Sequence, residues 1–210
     1  RDDWNEQLRI MIGLMGKDEH WFTANVPPEV SGDFITALKN QLAALSPEII
    51  DMVISEGFVN VYGEILEYAQ GGGEEGLGVP VSLDTVVLIG PEQYQEILEA
   101  CPAIMKFDGK TFEALAHFKR LPDYDYNSLE SVQEAARAVS NEHPKTIFFI
   151  TLGKKGGLIA YQGNVVYQAA LSVETRNRIG AGDAARAGLL HVLSLYEEGW
   201  WGKTFEDIQA

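Results

Sequence analysis

The run Thr146–Leu152, TIFFITL, is apolar almost throughout. A segment of that length and content suits a central strand buried on both faces of a parallel sheet. Such a strand needs parallel neighbours, joined to it by crossovers whose helices cover the sheet. The rest of the chain supplies that pattern. Strand-length runs are read at Ile10–Leu14, Ile49–Ser55, Val79–Leu83 and Ala103–Phe107. Helical periodicity is read over Gly32–Leu45, with Phe34, Ile35, Leu38, Leu42 and Leu45 on one face and Ser31 as its cap. Further helices are expected over Val61–Ala69, over Glu92–Ala100 behind Pro91, over Thr111–Phe118, and from the Ser128 cap to Asn141. Gly157–Tyr161 and Asn164–Gln168 read as a hairpin across Gln162-Gly163. A long helix is expected to begin at Gly180 and run to Glu198, with Leu189, Leu190, Val192, Leu193 and Leu195 as its core stripe. The alternation predicts an α/β fold in three layers, α/β/α, with a mainly parallel sheet in a single domain over residues 1–210.

Charge narrows the function classes. The net charge is −15, which excludes a broad phosphate-backbone surface of the kind nucleic-acid binding needs. One nucleotide still fits, because a single phosphate chain needs only local donors. No apolar run approaches the roughly 20 residues that span a bilayer, so a soluble, intracellular protein is expected, in the cytoplasm or an organelle interior. Cys101 is the only cysteine. It excludes an intramolecular disulfide and reads as a buried structural thiol. The histidines at 20, 117, 143 and 191 have no metal-ligand spacing. Gly71-Gly72-Gly73-Glu74-Glu75-Gly76 follows a helix and carries two acids, so it reads as a surface connection and not a phosphate cradle. Trp200-Trp201 either covers the end of the last helix or anchors a partner.

The chemistry concentrates at Gly180-Ala181-Gly182-Asp183, where the last helix begins. Small residues let a backbone approach a ligand. The N–H groups of a first helical turn and the positive end of the helix dipole favour a phosphate. An aspartate in that turn is placed to take a proton from an attacking hydroxyl. The same four residues also suit a tight strand-to-helix turn capped by Asp183, and the tetrapeptide alone does not separate the two.

The longer run NRIGAGDAARAGLL, Asn177–Leu190, resembles the C-terminal signature of the ribokinase/pfkB superfamily of carbohydrate and nucleoside kinases. ITLGKKGGLIAYQGNVVY, Ile150–Tyr167, resembles that family's strand, Thr-x-Gly turn and hairpin. Looser likenesses lie at Ile54–Phe58, Val81–Asp84 and Pro102–Leu115. The resemblance covers Ser46–Gly199 and implies a ribokinase-like fold, ATP with Mg²⁺, and phosphoryl transfer to a hydroxyl of a sugar or nucleoside. Asp183 would be the catalytic base. Gly180, Ala181 and Gly182 would form the anion hole. Thr151, Gly153, Gly156 and Asn177 would lie near the nucleotide.

Several residues depart from that pattern. No register across Lys106–Glu113 gives the family's Asn-x-x-Glu motif, which leaves Asp108 and Glu113 as the carboxylates for a metal. Arg178 and Ile179 replace hydroxyl residues before the anion hole, and Arg178 is a candidate phosphate contact. Ala185-Arg186 replaces an aromatic of the signature. Residues 10–19, with Gly13, Gly16 and Asp18, look like the family's first strand and turn, yet the lid expected next is reduced or missing. The chain is therefore expected to be incomplete in its N-terminal lid region and at its C-terminus. These departures keep a second reading open: a catalytically inactive, kinase-like structural or regulatory subunit, in a homodimer or a larger assembly.

Overall fold

The computed structural model describes residues 8–14, 20–26, 32–54, 59–71, 76–85, 91–121, 124–174 and 180–195. Asn177, Arg178, Trp200-Trp201, the Ser31 cap and most of the 71–76 glycine loop lie outside them. The chain divides into two compact units, Arg1–Met105 and Lys106–Ala210.

The first unit contains β1 (Leu8–Leu14), β2 (His20–Val26), α1 (Gly32–Leu45), β3 (Ile50–Ile54), α2 (Val59–Gln70), β4 (Val81–Thr85) and α3 (Pro91–Glu99). Its strands are ordered β2-β1-β3-β4. The helix α2 carries the chain from β3 to β4, and that crossover makes the two strands parallel, from Ile50 opposite Val81 to Ile54 opposite Thr85. β1 is antiparallel to both β2 and β3. β2 was not expected, because His20, Thr23 and Asn25 interrupt its apolar residues. What makes it a strand is its partner: it pairs with β1 continuously, from Leu8 opposite Val26 to Leu14 opposite His20.

The core of this unit joins Ile50, Met52, Val81 and Leu83 on the strands to Tyr62, Ile65 and Leu66 on α2 and Tyr94, Ile97 and Leu98 on α3. Side-chain to backbone hydrogen bonds fix the helices in place. Tyr62 donates to the Val53 carbonyl at 2.8 Å, and Tyr68 donates to that of Lys39 at 3.1 Å. Gln70 Nε2 donates to the carbonyls of Ala100 at 2.8 Å and Cys101 at 3.1 Å. Cys101 is half-buried, not buried, because it sits in the turn after α3 at φ +49°.

β5 (Ile104–Asp108) carries the chain into the second unit, followed by α4 (Gly109–Phe118), α5 (Leu129–Glu142), β6 (Ile147–Thr151), β7 (Gly157–Tyr161), β8 (Asn164–Gln168) and α6 (Ala181–Ser194). The order is β5-β6-β7-β8, and β6-β7 and β7-β8 are both antiparallel. Gln162 and Gly163 join β7 to β8 at φ +50° and +75°, the two positive values that a right-twisted two-residue hairpin uses. Ser128 caps α5 as expected, accepting from the Ser131 N–H at 3.2 Å. Phe107, Phe112 and Phe148 are fully buried together: Phe107 lies edge-to-face with Phe112 at 5.8 Å and stacked with Phe148 at 6.3 Å between centroids. Among the described residues, no helix is long and apolar enough to cross a membrane.

One end of this unit has a pH-dependent contact. His143 ends α5, with Nε2 3.1 Å from Lys119 Nζ, and Lys119 also bonds Glu142 at 2.9 Å. Burial of the ring, and then the Lys119 charge, hold the His143 pKa below its ordinary value. The folded state therefore binds a proton less readily than the unfolded chain. The neutral ring's contribution is fully present above the unfolded pKa of about 6.5 and is lost as pH falls below it. His143→Gln should flatten that part of the stability profile. Urea midpoints at pH 7.5 and pH 5 for both proteins check this, and an unchanged difference between the two pH values would contradict it.

Candidate active site

The geometry at the start of α6 follows from its glycines. Gly180 is the N-cap residue at φ +78°, in the left-handed region where glycine meets no steric penalty. It has no side chain with which to cap the helix. Among the described residues, a Cβ at Gly180 would meet nothing within 4 Å. The first helical bond runs from the Ala184 N–H to the Gly180 carbonyl at 2.8 Å. The N–H groups of residues 181–183 precede it and have no partner within the helix itself. Asp183 sits in this first turn with its side chain 66% exposed.

Gly182 has a different reason to be glycine. An ideal Cβ there would lie 2.9 Å from Lys106 Nζ. The lysine end thus occupies the space beside the first turn, which any larger residue would compete for. Lys106 is 7% exposed on a strand whose other residues up to Phe107 are apolar. A lysine is rarely so buried without a partner or a task, and it is engaged by neighbouring groups. The sequence contained that signal, a lone cation inside IMKFD, but the lysine's meeting with Gly182 was not legible there.

The end of β5 links several site residues. Lys106 reaches α6, and Thr151 Oγ1, at the end of β6, donates to the Phe107 carbonyl at 3.2 Å. Asp108 lies two residues beyond Lys106 and so shares its face of the strand. Its Oδ1 accepts from the Thr111 N–H at 2.8 Å and Thr111 Oγ1 at 3.0 Å, which makes it the N-cap of α4. Glu113 belongs to the body of α4. Burial, and then the Glu113 charge, push the Tyr124 hydroxyl pKa up. Glu113 lies five residues beyond the Asp108 cap, about 140° around the helix axis on ideal geometry. Among the described residues, no group of three or more His, Cys, Asp or Glu side chains is placed to hold a metal. A single carboxylate fits Mg²⁺ that arrives with phosphates, since that ion keeps most of its waters.

The Thr-x-Gly turn after β6 holds two more of the expected nucleotide residues, Gly153 and Gly156. Gly153 is at φ +58°, and among the described residues a Cβ there would meet nothing within 4 Å. Gly156, at φ +106°, packs directly against the backbone of residues 168–170, so its glycine is required by the hairpin's own exit. The turn is closed by bonds from the Leu152 N–H to the Gly156 carbonyl at 2.7 Å and from the Gly156 N–H to that of Gly153 at 3.0 Å.

The helical face of α6 corrects one expectation. Leu190 and Leu193 are buried, but Val192 is 54% and Leu195 66% exposed. With 3.6 residues per turn, positions 186, 190 and 193 form one stripe and 192 and 195 fall off it. The stripe therefore includes Arg186, which is 5% exposed. Its Nη2 lies 3.9 Å from Asp183 Oδ1, one turn back along the helix.

Comparison with solved structures shows the same architecture. The chain aligns with a point mutant of phosphofructokinase-2 from Escherichia coli at TM-score 0.62 and 19% identity, covering 88% of this chain and 56% of that one. The same enzyme in complex with fructose-6-phosphate gives 0.60 and 18%, covering 88% and 56%. Adenosine kinase of Anopheles gambiae, in complex with P1,P4-di(adenosine-5) tetraphosphate, gives 0.55 and 16%, covering 87% and 55%. The chain thus spans little more than half the length of these relatives, and the likeness establishes a ribokinase-like α/β fold. No curated protein matches the sequence. Residues 59–208 do match a family of known chemistry, and on that match the chain belongs to the pfkB family of carbohydrate kinases.

Proposed function

We propose that this chain carries the phosphoryl-transfer half of an ATP-dependent kinase acting on a hydroxyl of a sugar or nucleoside. The observation that carries the reading is the first turn of α6, which starts at a left-handed glycine with no side-chain cap, carries Asp183, and has the Lys106 amino group beside Gly182. In this reading the acceptor hydroxyl gives its proton to Asp183 while its oxygen attacks the γ-phosphorus of ATP, and the bond to the β-phosphate oxygen breaks to release ADP. The N–H groups of residues 180–182 and Lys106 Nζ stabilise the charge on the moving phosphoryl group. Thr151 and Gly153 flank the nucleotide in this reading, and the sequence resemblance adds Asn177 as a nucleotide residue and Arg178 as a candidate phosphate contact. Mg²⁺ would supply charge neutralisation on the phosphates, with Asp108 as the carboxylate proposed to hold its waters. Glu113 is the weaker partner for it.

The decisive test is transfer of labelled γ-phosphate from ATP to a panel of sugars, sugar phosphates and nucleosides. Label on at least one acceptor supports the reading. One observation favours the alternative, a non-catalytic subunit of a homodimer or larger assembly: Asp108 already serves as the cap of α4. In that case no acceptor is labelled and the protein elutes with a partner.

Lys106 makes a prediction of its own. Lys106→Met should weaken ATP binding by about 10- to 100-fold, the loss typical of a hydrogen bond to a charged group. Lys110→Met, on the exposed side of α4, should leave it unchanged. Titration calorimetry of both variants checks this, and equal affinities would remove Lys106 from the site.

A further inference from the structure

A phosphate and a carboxylate repel each other, and the proposed site asks them to share one helical turn. Asp183 and the anion-binding N–H groups are within three residues of each other. A base held there needs a compensating charge that does not itself block the ligand.

Arg186 meets that requirement by position. It is on the inward stripe of α6 with Leu190 and Leu193, and its side chain is 6% exposed against 66% for Asp183. Its guanidinium therefore approaches the carboxylate from the protein side, at 3.9 Å, and leaves the solvent side of Asp183 to a ligand. The order is also the favourable one, with the acid three residues N-terminal to the base. Apolar packing alone does not call for an arginine here, since an apolar residue would continue the stripe without the cost of desolvating a charge. An arginine keeps its charge at any physiological pH and offers five donors, so a contact with Asp183 does not exhaust it.

We infer that Arg186 is a positioning residue, a buried counter-ion that holds the Asp183 carboxylate in place and offsets its charge so that a phosphate can bind beside it. The inference rests on the kinase reading of the α6 turn. It makes the effect of Arg186 conditional on the charge of Asp183, which a merely structural role or a direct phosphate contact would not.

A double-mutant cycle on the full chain reads that condition through ATP binding, with calorimetry in Mg²⁺ and thermal unfolding as a check on folding. Arg186→Met should weaken ATP binding about tenfold, within the range by which charges of one network couple. Asp183→Asn in the Arg186→Met background should restore most of the loss, because no bare carboxylate then faces the phosphate. Arg186→Lys, which keeps the charge if the Met variant does not fold, should bind within about threefold of the parent. Equal weakening by Arg186→Met with Asp183 or Asn at position 183 would overturn the inference and leave the kinase reading standing. Equal weakening by Arg186→Lys with Asp183 or Asn there would do the same. Absence of ATP binding by the parent chain would instead overturn the kinase reading, and the inference with it.

Discussion

Asp183→Asn should reduce phosphoryl transfer by about 10²- to 10⁴-fold, the range that a positioned general base contributes. The substitution removes a proton acceptor and one negative charge and keeps the shape of the side chain. Asp183 is 66% exposed, and its ion pair with Arg186 is long, at 3.9 Å. Folding should therefore be little affected, and the variant should unfold within a few degrees of the parent. ATP should still bind, because the N–H groups of the α6 turn and Lys106 remain. Transfer rates with any acceptor found in the panel, measured beside ATP affinity and thermal midpoint, check all three parts. A variant with parental turnover would exclude Asp183 as the base. One that lost turnover only by unfolding would say nothing for a catalytic role.

The largest expected effect on stability is at Phe107. Its side chain is fully buried between Phe112 and Phe148, with ring centroids 5.8 and 6.3 Å away. Phe107→Ala should cost about 3–5 kcal/mol, from lost burial and the cavity left behind. That is a large part of the roughly 5–15 kcal/mol that stabilises an ordinary domain. The consequences should reach the site, because Phe107 lies between Lys106 and Asp108 and its carbonyl accepts from Thr151. Phe107→Leu fills most of the space and should cost clearly less. Urea unfolding of both variants checks the ranking, and a Phe107→Ala cost under about 1 kcal/mol, that of an ordinary surface change, would contradict the packing described.

The elements most legible in the sequence were those with a strong local cause. Ser128 and the apolar positions of α5 announced that helix, Gln162-Gly163 announced the β7-β8 hairpin, and Pro91 marked the start of α3. β2 was not legible, since polar residues interrupt its apolar ones and its pairing with β1 is not encoded locally. The same division holds at the candidate site. Gly180–Asp183 stood out because four adjacent residues encode a helix start with an aspartate in its first turn. Lys106 lies 76 residues earlier than Gly182, by subtraction of their numbers, and only the folded chain brings the two together. Arg186 looked like an oddity of the signature. Its position on the inward stripe of α6 depended on which face of that helix is buried, and Val192 and Leu195 had suggested the wrong one.

The most direct measurement is calorimetric titration of ATP into the purified chain, with and without Mg²⁺, beside Gly182→Ala. A Cβ at position 182 would fall 2.9 Å from Lys106 Nζ, so that variant should fold with the lysine pushed off the turn. The expected result is saturable ATP binding by the parent and affinity reduced about tenfold in Gly182→Ala, as for the loss of one charged donor. The absence of ATP binding by the parent under both conditions would contradict the assignment of this helix start as the phosphate site, and identical affinity in the variant would contradict the part given to Lys106 in it.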